Sequence, residues 1–470
     1  MRTAKSLWRT RFSNDSDVLY DNLRINLNEL SRIRDLFFVV KTGSMQTDER
    51  TEAYLIALEG AAPFLETFAL FSGLYCDVPE KLFNGIPPPR LRVCRLQAFQ
   101  IPEVLFQGIP PPGLKELYLD DGYIPASSCL LRAQLTTLDL SICNVGDKSL
   151  LQTIQVLSHL PTLEILILKS LHPYQPLPSF LPSVALPHLR DLCIHELFGE
   201  FVLIILDHLS LPIQTNLEIS FVRVLNNLND ESFTVEFLDD LRLSLMRKLA
   251  SFVDAGGRYS FLRVSYRDFD PEDDARDDGF TVQASGPYFP DQSDEVCGTE
   301  APADQQLPTA GQLTVSCPFD HFDTDPDDVF TPIVESLLAF PAFSHGIRTV
   351  DISYDICFEH SCWECLDWEL ENISTLSVNG HSVYGLFTAL EDGPGLFCNV
   401  KVLSLTTTDF CGWFPNTHLK TSLGKLNLHT LRISDSSIKQ QQVQTCRSVV
   451  DHFYWDGKED GFVEPSHSSS

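Results

Sequence analysis

The sequence predicts an α/β fold in which a curved parallel sheet is built from repeating units, with helices on its convex side. One passage occurs twice, from Pro79 to Leu96 and from Pro102 to Leu119, offset by 23 residues. In each copy a short helix-like piece and a Gly-Ile-Pro-Pro-Pro turn precede a strand with apolar residues at its first, fourth and sixth positions. This frame is the strand half of a leucine-rich repeat, and neither copy is able to bury its apolar face alone. The sequence therefore predicts a leucine-rich-repeat solenoid.

The same frame continues beyond the duplicated passage, with spacings of 21 to 28 residues between first positions. In the first half of the chain the first positions are Leu65, Leu91, Leu114, Leu135, Leu163 and Leu189. The fourth and sixth positions of these units are all apolar when Cys94 is counted. Later first positions are Ile347, Ile373, Val400 and Leu428. Regular spacing favours the solenoid over the alternative, unrelated βα units in a doubly wound sheet, since such sheets hold no fixed repeat length.

The segments between the strands predict helices. Residues 149–160 place apolar side chains on one helix face, and further helices are predicted over 49–60, 332–340, 361–370 and 383–390. Residues 439–447 and a strand-like run over 449–455 precede the polar tail.

The frame lapses between 225 and 346. Residues 236–253 predict an amphipathic helix, and short strand-like runs follow around the acidic stretch 268–304. This stretch is predicted to be a solvated loop, because its charges repel one another and it has few apolar groups. A cation site at Asp273, Asp274, Asp277 and Asp278 is the alternative, but the EF-hand pattern is absent.

Composition excludes several classes of function. The 470 residues carry 64 acidic and 34 basic side chains, a net charge of −30, so the chain repels nucleic-acid phosphates and anionic lipid surfaces. No apolar run approaches the roughly 20 residues that a membrane-spanning helix needs. Thirteen scattered cysteines fit reduced thiols better than a disulfide framework, which predicts an intracellular protein, cytoplasmic or nuclear.

One cluster has the residue types of a zinc site. Cys357, His360, Cys362 and Cys365 offer thiolate and imidazole ligands, but there is no second Cys-X-X-Cys pair to complete a closed site. Cys362 also fits the apolar side of a helix between two strands, so packed thiols and no cofactor are predicted. Familiar catalytic motifs are absent, which predicts that the protein is not an enzyme. A metal-binding or hydrolytic protein that uses this cluster, or the acidic insert, is the alternative.

A solenoid presents its concave strand face to partners. Side chains at the third and fifth positions of the frame point to that face, and they include the aromatic, arginine and isoleucine residues that suit protein contacts. The predicted partner-binding residues are Arg95, Glu116, Tyr118, Thr137, Asp139, Ile165, Ile167 and Asp191.

Four passages carry a resemblance to the leucine-rich-repeat region of the F-box-like proteins of mushroom-forming fungi. They are residues 30–40, 63–70, 82–96 and the closing 449–457. The resemblance implies that the repeats hold a substrate while a preceding F-box docks a Skp-type adaptor of a cullin ubiquitin ligase. This chain has no recognisable F-box, so adaptor docking has no basis in its sequence.

The chain also departs from the repeat pattern at the ninth position, where Asn or Cys is usual. Gly73, Phe99, Gly122, Cys143 and Leu171 stand there, so only Cys143 complies. The backbone at the ninth position must therefore be satisfied in another way.

The expected organisation has five parts. They are an N-terminal cap or F-box remnant (1–45), a first repeat block (46–224), a helix and acidic loop insert (225–346), a second repeat block with a C-terminal cap (347–457), and a disordered tail (458–470). The expected function is a non-catalytic scaffold that binds a protein through the concave face. A truncated gene product without F-box function is a further alternative.

Overall fold

The structure, a computed structural model, describes residues 8–13, 30–40, 58–145, 149–170, 181–222, 231–254, 258–267, 279–286, 311–318, 337–338, 343, 345–353, 358, 360–393 and 395–456. The chain divides into two compact units, Met1–Thr215 and Asn216–Ser470. In both units the strands pair mostly in parallel and alternate with helices, which confirms the predicted α/β class. The five-part organisation expected from the sequence stays a prediction.

The strands described in the first unit include those of the predicted frame. They are β1 (Trp8–Ser13), β2 (Ile33–Val40), β3 (Thr67–Asp77), β4 (Val93–Gln100), β5 (Glu116–Asp120), β6 (Tyr123–Ile124), β7 (Thr137–Ser141), β8 (Asn144–Val145), β9 (Ile165–Lys169), β10 (Val184–Ala185), β11 (Asp191–Phe198) and β12 (Leu209–Ser210). Parallel pairing joins β1, β2, β3, β4, β5, β7, β9 and β11 in that order. The short β6 pairs with β4 and β8, and β10 pairs with β12. Repeats that follow one another in sequence are therefore neighbours in the sheet.

The register places equivalent residues of successive strands side by side. Fourth positions form one buried row and sixth positions form another, and no member is more than 4% exposed. The rows are Cys94, Leu117, Leu138, Leu166 and Leu192, and Leu96, Leu119, Leu140, Leu168 and Ile194. Since side chains alternate across a strand, the third, fifth and seventh positions must face the other way.

A left-handed backbone residue stands at the eighth position of the frame in most of the described repeats. Its φ lies between 49° and 66° at Ala98, Asp121, Ile142, Ser170, Gly380, Thr407 and Asp435. At most of these positions the amide donates to the carbonyl at the seventh position of the next repeat, as Ile142 does to Lys169 at 2.7 Å. Backbone hydrogen bonds therefore join successive turns at the eighth position.

Compact 3-10 helices connect the early repeats. They span Leu30–Arg32, Leu82–Gly85, Leu105–Gly108 and Cys129–Arg132, and the second and third lie in the predicted helix-like pieces. Phe83 and Phe106 have left-handed backbone and are 1% exposed, and their rings stack with centroids 6.3 Å apart. Burial of these rings offsets the cost of the strained turns, which is of order 1–2 kcal/mol per residue.

Two α-helices lie in the described part of the first unit. The helix predicted over 149–160 is confirmed as α1 (Ser149–Leu157), and α2 (Gly199–His208) was not predicted. The helix predicted over 49–60 lies almost wholly outside the described residues.

The second unit contains β13 (Asn216–Val222), β14 (Phe261–Arg267), β15 (Gly279–Ser285), β16 (Leu313–Pro318), β17 (Thr349–Ser353), β18 (Thr375–Asn379), β19 (Val402–Thr406), β20 (Thr430–Ser434) and β21 (His452–Trp455). From β17 to β21 each strand pairs in parallel with the next. The strands of the predicted insert join the same sheet, since β14 is parallel to β17 and antiparallel to β15. The antiparallel pair β15–β16 then leads to β13, which lies parallel to β16.

The helices described in the second unit are α3 (Glu231–Asp254), α4 (His360–Glu369), α5 (Ser382–Asp392), α6 (Phe410–Trp413), α7 (Asn416–Lys425) and α8 (Gln440–Arg447). The helices predicted over 236–253, 361–370 and 383–390 are thus confirmed. We did not predict α6, α7 or α8. Most of the helix predicted over 332–340 lies outside the described residues, as does most of the acidic stretch, including its four aspartates at 273, 274, 277 and 278.

Candidate functional site

The eight residues predicted to bind a partner lie in two adjacent rows on one side of the first unit's sheet. We call this side, opposite the buried leucines on β4, β5, β7, β9 and β11, the strand face. The third-position row contains Glu116, Thr137, Ile165 and Asp191 in register. The fifth-position row contains Arg95, Tyr118, Asp139 and Ile167. The structure therefore brings all eight together.

An aromatic, a cation and a carboxylate interact at the β4–β5 side of the strand face. The Arg95 guanidinium carbon lies 4.4 Å from the centroid of the Tyr118 ring. The Tyr118 hydroxyl donates a hydrogen bond to Glu116 Oε2 at 3.0 Å. Burial raises the pKa of Tyr118, and the hydrogen bond to the Glu116 carboxylate raises it further. These contacts hold the Tyr118 ring in a fixed orientation, with Arg95 exposed above it.

The next strand carries a carboxylate that is incompletely neutralised. Asp139 on β7 accepts a hydrogen bond from the Ser141 hydroxyl at 2.7 Å. Burial raises the pKa of Asp139, although this bond and the nearby charges of His195, Lys169 and Arg95 oppose the shift. Desolvation therefore outweighs the favourable contacts around this carboxylate.

A third row, at the seventh position, was missed by the sequence prediction. It consists of Gln97, Asp120, Ser141, Lys169 and His195 in register. Burial raises the pKa of Asp120, and the negative charges of Asp121 and Asp139 raise it further. The signal was present in the sequence, because the seventh position has the same strand parity as the third and fifth.

Isoleucines form the apolar part of the strand face. Ile165 and Ile167 on β9 are half-buried, and Thr137 beside Ile165 is 8% exposed. The strand face thus combines apolar contact area, one aromatic ring, one exposed guanidinium and several carboxylates. Such groups recognise polypeptide side chains.

The cysteine cluster does not form a metal site among the described residues. Cys362 is 0% exposed and Cys365 is 8% exposed, and both lie on α4. His360 Nε2 lies 3.0 Å from Glu364 Oε1 instead. His360, Cys362 and Cys365 do not bring three ligand atoms within 4.8 Å of one another in the part of the chain that the structure describes. Cys357 lies outside that part, so the four-residue alternative stays untested.

The second unit has a strand face of different composition, which the sequence analysis did not consider. One row contains Ser353, Asn379, Thr406 and Ser434, all in register. The neighbouring row begins with Asp351, which pairs with Arg263 at 2.9 Å, and ends with Arg432 and Tyr454. Hydroxyl and amide groups predominate there, and the apolar centre of the first unit has no counterpart in these rows.

Comparison with known proteins gave no relative: no protein-family model matches the chain, and no curated protein matches its sequence. Among the described residues, no helix combines the length and apolar character needed to cross a bilayer.

Proposed function

We propose that this chain is a non-catalytic protein-interaction scaffold, a leucine-rich-repeat solenoid whose strand face binds a partner protein. The observation that carries the proposal is the register of Tyr118, Asp139 and Ile167, which places three chemically different contact groups side by side. A cytoplasmic or nuclear location accompanies the proposal.

The solenoid part of the proposal is supported by the regular turns. In both units an eighth-position residue turns the chain with positive φ, whether it is Ile142, Gly380 or Thr407. The same turn at unrelated residue types indicates a backbone repeat that each coil imposes on the next. Buried rows of leucine beneath the turns give the stacking its free energy.

The binding part is supported by the composition of the strand face. Tyrosine and arginine dominate protein–protein hot spots, because each combines apolar area with a polar end. Here Tyr118 is already held by Arg95 and Glu116, so little side-chain entropy is lost when a partner contacts it.

The resemblance to F-box-like receptors suggests one role for such binding, to present a substrate to a ubiquitin ligase. Docking of a Skp-type adaptor is a separate claim, because it needs an F-box that the sequence does not show. The two claims are therefore tested separately.

Affinity purification from the native cell tests the proposal. We expect proteins that co-purify with the unaltered chain to be lost from a Tyr118→Ala, Ile167→Thr double variant. A control variant, Ser404→Ala, changes the second unit's strand face and should retain them. Thermal unfolding of all three proteins shows whether each variant is folded.

An unchanged set of co-purifying proteins in the double variant would contradict binding through the strand face. Absence of both a Skp-type adaptor and a cullin would contradict the ligase role alone, and binding would stand.

A further inference from the structure

The strand face of the first unit carries excess negative charge. Across its third, fifth and seventh positions from β4 to β11, the strand face carries four carboxylates and two cationic side chains. The carboxylates are Glu116, Asp120, Asp139 and Asp191, and the cations are Arg95 and Lys169. The guanidinium of Arg95 lies over the Tyr118 ring. A partner that supplies cations complements this face.

Two of the carboxylates lack an ion-pair partner. Neither Asp120 nor Asp139 forms an ion pair with a lysine or arginine in the described part of the chain. They lie on neighbouring strands, β5 and β7, and each is partly withdrawn from solvent. Carboxylates in this condition gain more from an incoming cation than fully solvated ones do, because water screens them less.

The uncharged centre of the strand face lies between carboxylates. Ile167 is the cross-strand neighbour of Asp139, and Ile165 is the neighbour of Asp191 on the opposite side. Since strands lie about 4.8 Å apart and the two aspartates are offset by two positions along the strands, Asp139 and Asp191 stand about 12 Å from each other across the isoleucines. An extended chain covers about 13 Å in four residues, and every second side chain points to the same side.

We infer that the strand face binds an extended polypeptide segment in which lysine or arginine side chains, four positions apart, flank an apolar side chain midway between them. The apolar side chain packs on Ile165 and Ile167, and the cations contact Asp139 with Asp120 on one side and Asp191 on the other. This inference rests on the proposed function, and adds to it the chemistry of the partner.

Selection from a displayed library of random peptides of about 12 residues tests the inference. We expect enriched peptides to carry the basic–apolar–basic pattern and to bind more weakly as salt concentration rises. Asp139→Asn should weaken the best peptide roughly fivefold, which is the scale of one partly buried charge pair. Glu103→Gln removes an exposed carboxylate from the same unit away from the strand face, and should leave the affinity within about twofold.

A second variant and its control test the apolar contact. Ile167→Thr should lower the affinity roughly tenfold, whereas Val104→Thr, at a side chain 64% exposed in the same unit, should have no effect. Equal losses from Asp139→Asn and Glu103→Gln would show only attraction to an acidic chain and would overturn the inference.

The outcomes separate the inference from the proposed function. Enriched peptides that are neutral or acidic, yet lose affinity in Ile167→Thr, would overturn the basic partner and leave the strand face as the binding surface. Peptides whose affinity is unchanged by Ile167→Thr and Asp139→Asn, or a selection that enriches none, would count against both.

Discussion

The backbone amide of Asp121 donates a hydrogen bond to the carbonyl oxygen of Ser141, 2.8 Å away in the next repeat. Ile142 makes the same bond to Lys169, and Ser170 makes it to His195. Each donor is an eighth-position residue with positive φ. The left-handed turn thus directs its amide toward the next repeat. The hydrogen bond formed there offsets the conformational strain of the turn.

Ile142 and Thr407 are the turn residues at which we expect the most strain, because a β-branched side chain is least suited to positive φ. We expect Ile142→Gly to increase the free energy of unfolding by about 0.5 to 1 kcal/mol. Glycine removes about 1–2 kcal/mol of strain from the folded chain, but its greater conformational entropy in the unfolded chain offsets part of this gain. Ile109 is also exposed but has φ −87°, so Ile109→Gly should destabilise. Urea unfolding measures the free energy of unfolding of both variants. If both are less stable than the unaltered chain, Ile142 is not strained in the way that we infer.

The ionised carboxylate of Asp139, which we propose to contact the partner, should lower the stability of the folded chain at pH 7. Its pKa is raised, so ionisation is less favourable in the folded chain than in the unfolded chain. The protonated form of Asp139 is therefore the one that favours the folded chain. Its contribution to stability is complete below the ordinary aspartate pKa of about 3.9 and is lost as the pH rises through the raised pKa of the folded chain. Asp139→Asn, which keeps an acceptor for Ser141, should therefore raise the melting temperature at pH 7 by about 1 to 3 °C. The gain should vanish near pH 3, and a lower melting temperature at pH 7 would contradict it.

Asp409 should have the opposite pH dependence. Its carboxylate accepts hydrogen bonds from the Ser437 hydroxyl and from the amides of Cys411 and Gly412 at the start of α6, and these lower its pKa. The contribution to stability is complete above about pH 4 and is lost as pH falls through the lowered pKa. We expect Asp409→Ala to cost about 1 kcal/mol at pH 7.

The difference in stability between Asp409→Ala and the unaltered chain, measured by thermal unfolding, should decrease as the pH falls from 7 to 3. Asp451→Ala removes another exposed carboxylate and should change stability by less than about 0.5 kcal/mol. A gap that stays constant with pH would show that Asp409 acts through packing alone.

Metal analysis decides between packed thiols and a zinc site at Cys357, His360, Cys362 and Cys365. Because Cys362 is fully buried on α4, we expect purified protein to hold no stoichiometric zinc. Zinc at one equivalent, lost in a Cys362→Ser, Cys365→Ser variant, would favour the metal-binding alternative.

Burial made the strands predictable from sequence. Leu117, Leu138 and Leu166 had to stack, because a two-residue period places every second side chain in the core. The eighth-position turns were not predictable, since Ala98, Asp121 and Ile142 share no property and backbone hydrogen bonds set their conformation. The pairing of β14 with β15 and β17 was also beyond reach, because it joins residues that no repeat relates.

The candidate site was predictable in position but not in its interactions. Parity alone placed Glu116 and Tyr118 on one face, whereas the hydrogen bond between them depends on rotamers. Asp120 was missed because the prediction considered only the third and fifth positions, whereas Asp120 is at the seventh position of the same face.

Site-specific photo-crosslinking tests partner binding at the strand face most directly. A benzophenone amino acid is placed at position 118 or 167 on the strand face, or at position 103 or 404 as controls, and the protein is irradiated in extract from the native cell. We predict crosslinks to the same partner protein from 118 and 167 and none from 103 or 404. Crosslinks from 103 or 404, with none from 118 and 167, would contradict the account.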